Sequence, residues 1–180
     1  MDTFPNYFSF NTVKCKDAKA RTAHLNQLKN VYQRSSNSHD IIFIISDTSV
    51  KNNIVTSVSY IQRKHNIIRK TIYHAMNISS TKAKLFIIRC GISQATQIQE
   101  VKQIVIITDA ILVVKKIFNT SHYLYQLHSI TISNDLRKFF NKNSNNLITF
   151  WNCLSDIPKC KRGQHSKQGN NIKQHAQSTR

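Results

Sequence analysis

Two short, unbroken apolar runs constrain the fold more than any other feature of this chain: IIFIIS at Ile41–Ser46 and QIVIIT at Gln103–Thr108. A strand with one face in water alternates apolar and polar residues. A run without alternation suits a strand covered on both faces, as in the buried part of an α/β sheet. Between the two runs lie IVTSVSYI at Ile54–Ile61 and IIRKTIYHAM at Ile67–Met76, separated by the turn-like stretches DTSVKNN and QRKHN. Three strands joined by short turns predict an antiparallel meander. The period then changes. From Ser80 to Ile98, Leu85, Ile88, Ile92 and Ala95 recur at spacings of three and four, which predicts an amphipathic helix. A strand, a helix and a strand predict a parallel crossover. Ala110–Phe118 and Tyr123–Asn141 read as helical, the second broken around SITISN at 129–134, and LITFW at Leu147–Trp151 supplies a fifth strand.

The ends differ from the middle. Residues 1–40 read as a basic leader, with one helix over Asp17–Arg34 and a linker, RSSNSHD, at 34–40. After Pro158 the chain has no acid and almost no apolar residue, so 157–180 reads as a disordered basic tail and 41–156 as the domain. Lys and Arg number 26 against 8 Asp and Glu, a formal charge of +18. Such a surface attracts polyanions by Coulomb forces and counterion release. Nucleic acid is the natural partner, and an anionic membrane surface the second. No apolar stretch approaches the roughly 20 residues needed to cross a bilayer. Cys15, Cys90, Cys153 and Cys160 are widely spread and no signal peptide is evident, which points to a reduced intracellular compartment, cytoplasmic or nuclear. Cys153, Cys160, His165 and His175 match no common zinc spacing.

The element order resembles that of the ribonuclease H-like fold. Four stretches carry the resemblance: ISDTSVKNNIVTSVSYI for the first hairpin, SSTKAKLFIIRCGISQATQI for the first helix, IVIITDAILVVKKI for the fourth strand, and ITFWNCLS for the fifth. The wording is most similar to the type 1 ribonuclease H domain of fungal retrotransposon polyproteins, where a stretch like HLNQLKNVYQRSSNSHD leads into the domain. The implied fold is a five-stranded mixed sheet, three antiparallel strands followed by crossover strands, flanked by helices. The implied activity is hydrolysis of the RNA strand of an RNA–DNA hybrid. In the family, three or four carboxylates hold two Mg²⁺ (or Mn²⁺) ions roughly 4 Å apart, one activating water and the other stabilising the leaving oxygen.

The resemblance places Asp47 at the first catalytic and metal-binding aspartate, at the close of a buried strand, and Asp109 at the third acid. As an ordinary structural residue, Asp109 before AILVVKKI is a helix N-cap. The second acid belongs at position 84, where this chain has Lys84. Thr81-x-x-Lys84 reads as a capping box whose glutamate has become a lysine facing the positive end of the helix dipole. The exchange swaps −1 for +1 beside the site. Two unit charges 4 Å apart interact by ~1 kcal/mol in water and about 4 at an effective dielectric of 20. Lys84 is therefore expected to pair with Asp47 and Asp109 in the place of the metal. The fourth acid is missing as well: His165 stands for the family's mobile histidine, and no acid lies beyond Asp156. Candidate nucleic-acid contacts are Lys64, Arg69, Lys70, Lys82, Lys115, Lys116, Lys159, Lys161 and Arg162, each of which also fits an ordinary solvated face. Three readings follow: an active hybrid ribonuclease using Asp47, Asp109 and Mg²⁺; a non-catalytic module that grips hybrid or duplex; and a decayed retroelement fragment. The incomplete acid set favours weakened or lost cleavage.

Overall fold

The computed structural model describes residues 8–12, 18–35, 37–110, 114 and 126–152. Its elements are β1 (Phe8–Asn11), α1 (Ala18–Ser35), β2 (Ile41–Lys51), β3 (Ile54–Arg63), β4 (Asn66–Met76), α2 (Ser80–Ala95), β5 (Gln103–Thr108), α3 (Gln126–Lys142) and β6 (Leu147–Asn152). The strands form one mixed sheet in the order β1-β6-β5-β2-β3-β4. β2, β3 and β4 are antiparallel; β5 runs parallel to β2 and to β6, and β6 parallel to β1.

The two unbroken apolar runs, in β2 and β5, are the sheet's centre. β2 and β5 alternate between two cores. Ile42, Ile44, Ile104 and Ile106 join Leu85, Ile88 and Ile92 of α2 and Ile132, Leu136 and Phe139 of α3. Phe43, Val105, Ile107 and Trp151 face the other way, under Leu25, Leu28, Val31 and Tyr32 of α1. A strand apolar on both faces needs a helix on each, and α1 is the second cover.

Three expectations change. Among the described residues the sheet has six strands, not five: β1, from the leader, adds a parallel edge beside β6, and its Phe10 ring stacks on Phe150 with centroids 4.9 Å apart. β2 does not stop at Ser46. Asp47–Lys51 continues it against Ile54–Val58, and the turn is only Asn52–Asn53, at φ 50° and 60°. Positive φ at both central residues is what a tight hairpin demands, and asparagine tolerates it best among residues with a side chain. Lys64–His65, at φ 48° and 66°, repeat the geometry in the next hairpin. α3 runs unbroken through SITISN. Ile132, Leu136, Phe139 and Phe140 lie on its buried face, and Thr131 donates its hydroxyl to the Leu127 carbonyl at 3.0 Å instead of breaking the helix. Of the helix expected over Ala110–Phe118, Ala110 and Val114 are described, Val114 being helical and bonded to the Ala110 carbonyl at 3.0 Å; the rest lies outside the described residues, as does the tail at 157–180.

The α1 cover is testable. Leu28 is buried against the sheet, so Leu28→Ala is expected to lower unfolding stability by about 2–4 kcal/mol. Trp151, the chain's single tryptophan, lies under α1 with its ring 5.1 Å from that of His24. Its emission therefore reports undocking. An unchanged denaturation midpoint in Leu28→Ala would mean that α1 does not hold this face.

Candidate functional site

The parallel β2–β5 ladder ends on the rung Ser46–Thr108. The next residue on each strand is an aspartate, Asp47 on β2 and Asp109 after β5. Neighbouring strands lie roughly 4.8 Å apart, so the two acids leave the same end of the sheet side by side. β5 stops there while β2 continues with β3, so Asp47 lies within a strand rather than closing one, a correction to the sequence reading. Asp47 is exposed, and one carboxylate oxygen accepts from the Thr48 backbone N–H at 2.7 Å.

α2 brings the third position over this end. Its N-cap is Ser79, in extended conformation, whose hydroxyl accepts from the Lys82 N–H at 3.3 Å. The cap assignment corrects the expected Thr81 box: Lys82, not Lys84, is the third helical residue. Lys84 therefore stands in the second turn, beyond the short reach of the dipole. Its role is set by what it touches. Nζ of Lys84 donates to Oδ2 of Asp109 at 2.5 Å, with the side chains 23% and 36% exposed. Of the two ion pairs expected for Lys84, the structure forms the one to Asp109; among the described residues Asp47 has none. Asp109 spends its carboxylate on this contact, and the Ala110 N–H that follows donates to the Thr108 hydroxyl at 3.1 Å.

A divalent ion suits this arrangement poorly. Mg²⁺ wants carboxylate oxygens at about 2.0–2.1 Å, and here an ammonium holds one of the two candidate carboxylates. Among the described residues no group of three or more His, Cys, Asp and Glu could hold a metal. His165, Lys115, Lys116, Lys159, Lys161 and Arg162 fall outside the described residues, as do Cys153, Cys160 and His175.

The described basic candidates lie on two parts of the fold, α2 and the β3–β4 hairpin. Lys82 sits in the first turn of α2. Arg69 and Lys70 are on β4. Lys64 is in the β3–β4 turn, bonded to the His39 ring. Cys90 is a half-buried helix residue, and burial pushes its thiol up, away from the thiolate form.

Sequence reasoning missed His24. It is buried in α1, and its Nε2 donates to the Asn152 carbonyl at 2.8 Å, tying the helix to the end of β6 beside the acids. A lone histidine in a basic helix carries no sequence signal for this.

Among solved structures the chain is similar to the N-terminal ribonuclease H domain of a Mycobacterium tuberculosis protein, at TM-score 0.52 and 11% identity, covering 63% of this chain and 87% of that one. The compost-derived LC11 ribonuclease H1 gives TM-score 0.48 and 12% identity, with 68% and 88% covered. The ribonuclease H domain of prototype foamy virus gives 0.47 and 10%, with 67% and 81% covered. No protein-family model and no curated protein matches the chain. Likeness at this identity speaks for the fold, which is ribonuclease H-like: a mixed sheet with antiparallel strands, flanked by helices.

Proposed function

We propose that the chain is a nucleic-acid-binding module on a ribonuclease H-like fold, in which Lys84 takes the place of the metal and cleavage is lost or much weakened. The observation that carries this reading is the Lys84–Asp109 contact at 2.5 Å. It puts a fixed positive charge where the fold's chemistry would need a dissociable divalent ion. An ammonium there neutralises an acid and attracts phosphate, but it does not lower the pKa of a water or clamp two oxygens in line. The formal charge of +18 supplies the wider attraction. The retroelement origin belongs to the same proposal and rests on the order of the four motifs alone. The competing reading, an active hybrid ribonuclease using Asp47 and Asp109 with Mg²⁺ or Mn²⁺, makes opposite predictions.

A labelled RNA–DNA hybrid separates them. The wild type is expected to bind it with an affinity that falls linearly in log–log form with salt, each neutralised phosphate adding about −0.9 to the slope. Chelating divalent ions is expected to leave that affinity unchanged and to reveal no dependent cleavage. Mg²⁺-dependent cleavage that disappears in Asp47→Asn would establish the enzymatic reading instead. Affinity insensitive to salt would remove the electrostatic basis of both.

A further inference from the structure

α1 covers only part of its face of the sheet. It packs over Phe43 of β2, Val105 and Ile107 of β5 and Trp151 of β6. The same face continues over β3 and β4 without cover from a described element. Alternation identifies its side chains. In β3, Val55, Ser57, Ser59 and Ile61 are buried toward α2, so Ile54, Thr56, Val58 and Tyr60 point the other way. In β4, Thr71 bonds Gln94 of α2 and the Tyr73 ring packs tilted against Phe86 of α2, so Lys70, Ile72, His74 and Met76 share the open face.

The pairing register arranges these residues as rungs: Ile54 with Met76, Thr56 with His74, Val58 with Ile72, and Tyr60 with Lys70. Ile54 is 42% exposed, Ile72 50% and Met76 66%. His74 Nδ1 meets the Thr56 hydroxyl at 2.9 Å, and the Lys70 ammonium lies 5.7 Å from the centre of the Tyr60 ring. On this face β2 adds Lys51 and, next to the open end of the sheet, Asp47, the one carboxylate among the side chains named here. Same-face rungs recur every ~6.7 Å along a strand. The face is therefore an apolar and aromatic surface dotted with cations.

We propose that this open β3–β4 face binds single-stranded nucleic acid. The inference rests on the nucleic-acid reading above and names the form of the ligand and where it lies. A duplex turns its base faces inward and offers phosphates, sugars and groove edges, which cations and hydrogen-bonding groups satisfy. A single strand also presents base faces, which need apolar or aromatic partners beside the cations. Tyr60, Val58, Ile72 and Ile54 supply the first requirement; Lys70 and Lys51 supply the second. An acidic protein segment would meet the same chemistry less well, because the face alternates cations with apolar groups at close spacing instead of grouping them on a rim.

The test is fluorescence anisotropy with a labelled oligo(dT) of about 12 nucleotides, within the span one such surface occupies, and with the RNA–DNA hybrid in parallel. The variants are Tyr60→Ala and the double change Ile72→Ser with Met76→Ser, which keeps the charge and alters exposed positions; circular dichroism checks folding. Wild type is expected to bind oligo(dT), each variant about tenfold more weakly, with hybrid affinity unchanged. Unaltered oligo(dT) affinity in both folded variants would overturn the proposal and leave the face to a protein partner. Equal losses for hybrid and single strand would overturn it in favour of duplex on this face. No binding of either probe by wild type would sink this inference and the nucleic-acid reading together, whereas hybrid binding without oligo(dT) binding would sink this inference alone. Crosslinking of a 4-thiouridine oligonucleotide provides a second readout. Adducts on β3–β4 are expected; adducts confined to α2 would contradict the placement.

Discussion

Lys84→Glu is expected to make the protein bind Mn²⁺ and to be stabilised by it, while the wild type is not. The substitution removes the ammonium that now holds Asp109 at 2.5 Å and puts a carboxylate on the same turn of α2. A glutamate is shorter than a lysine by about one bond, and that shortfall added to the present 2.5 Å contact is about what an oxygen–metal–oxygen bridge spans, with each bond ~2 Å. The new carboxylate and that of Asp109 would then stand together at the end of the β2–β5 ladder, with Asp47 on the adjacent strand. At a metal concentration near 100 times the dissociation constant, binding stabilises by about 2.7 kcal/mol, a rise in thermal midpoint of about 5–10 °C for a chain of this size. Without metal the variant is expected to be slightly less stable than wild type, because a half-exposed ion pair contributes about 0–1 kcal/mol and its loss leaves like charges together. Mn²⁺-dependent cleavage of an RNA–DNA hybrid is expected to appear with the substitution and vanish again when Asp47→Asn is added. A variant that melts at the same temperature with and without Mn²⁺ would show that these three positions do not form a site.

Gly91→Val is expected to be the most damaging single substitution in the fold. Gly91 lies in the middle of α2, buried where the helix crosses the sheet. Its φ is negative, so no conformational demand requires glycine; the requirement is space. A Cβ at this position would stand 2.7 Å from Cγ2 of Ile44 and 2.9 Å from Oγ of Ser59. Ile44 is fully buried in the centre of β2 and has nowhere to move. Two effects oppose each other. Replacing a helical glycine by alanine gains about 1 kcal/mol of helix propensity, while overpacking a well-filled core costs about 1–3 kcal/mol. Gly91→Ala is therefore expected to be mildly destabilising, by about 0–2 kcal/mol. Valine adds two more methyl groups to the same contact, and a loss of about 3–5 kcal/mol is expected, a large share of the ~5–15 kcal/mol that holds a typical domain together. Chemical denaturation monitored by Trp151 measures both. Combining Gly91→Ala with Ser59→Ala, which removes the hydroxyl at 2.9 Å, is expected to recover part of the loss as a favourable coupling. A Gly91→Val protein as stable as wild type would mean that α2 does not sit this close to the sheet.

Most of the architecture is legible in the sequence because burial leaves a periodic trace. IIFIIS and QIVIIT lack alternation since each faces a helix on both sides, and the spacing of Leu85, Ile88 and Ile92 marks the face that α2 turns to the sheet. The misreadings arise where local chemistry and long-range pairing disagree. Polar Asp47–Lys51 resembles a turn until β3 pairs with it. SITISN resembles a helix break until Ile132 and Leu136 are buried by the core. FSFN is too short to announce itself as a strand, and it becomes β1 only because β6 offers it a parallel edge.

The candidate site divides along the same line. That Asp47 and Asp109 follow unbroken apolar runs, that Lys84 stands where the resemblance expects an acid, and that the chain carries a large positive charge are properties of residue identity and order, legible in the sequence alone. Which of the acids Lys84 grips, that His24 ties α1 to the end of β6, and that α1 leaves the β3–β4 face open are decided only by tertiary structure. Each depends on the register of one element against another. Register is set by the packing of whole faces, and no single residue in the sequence encodes it.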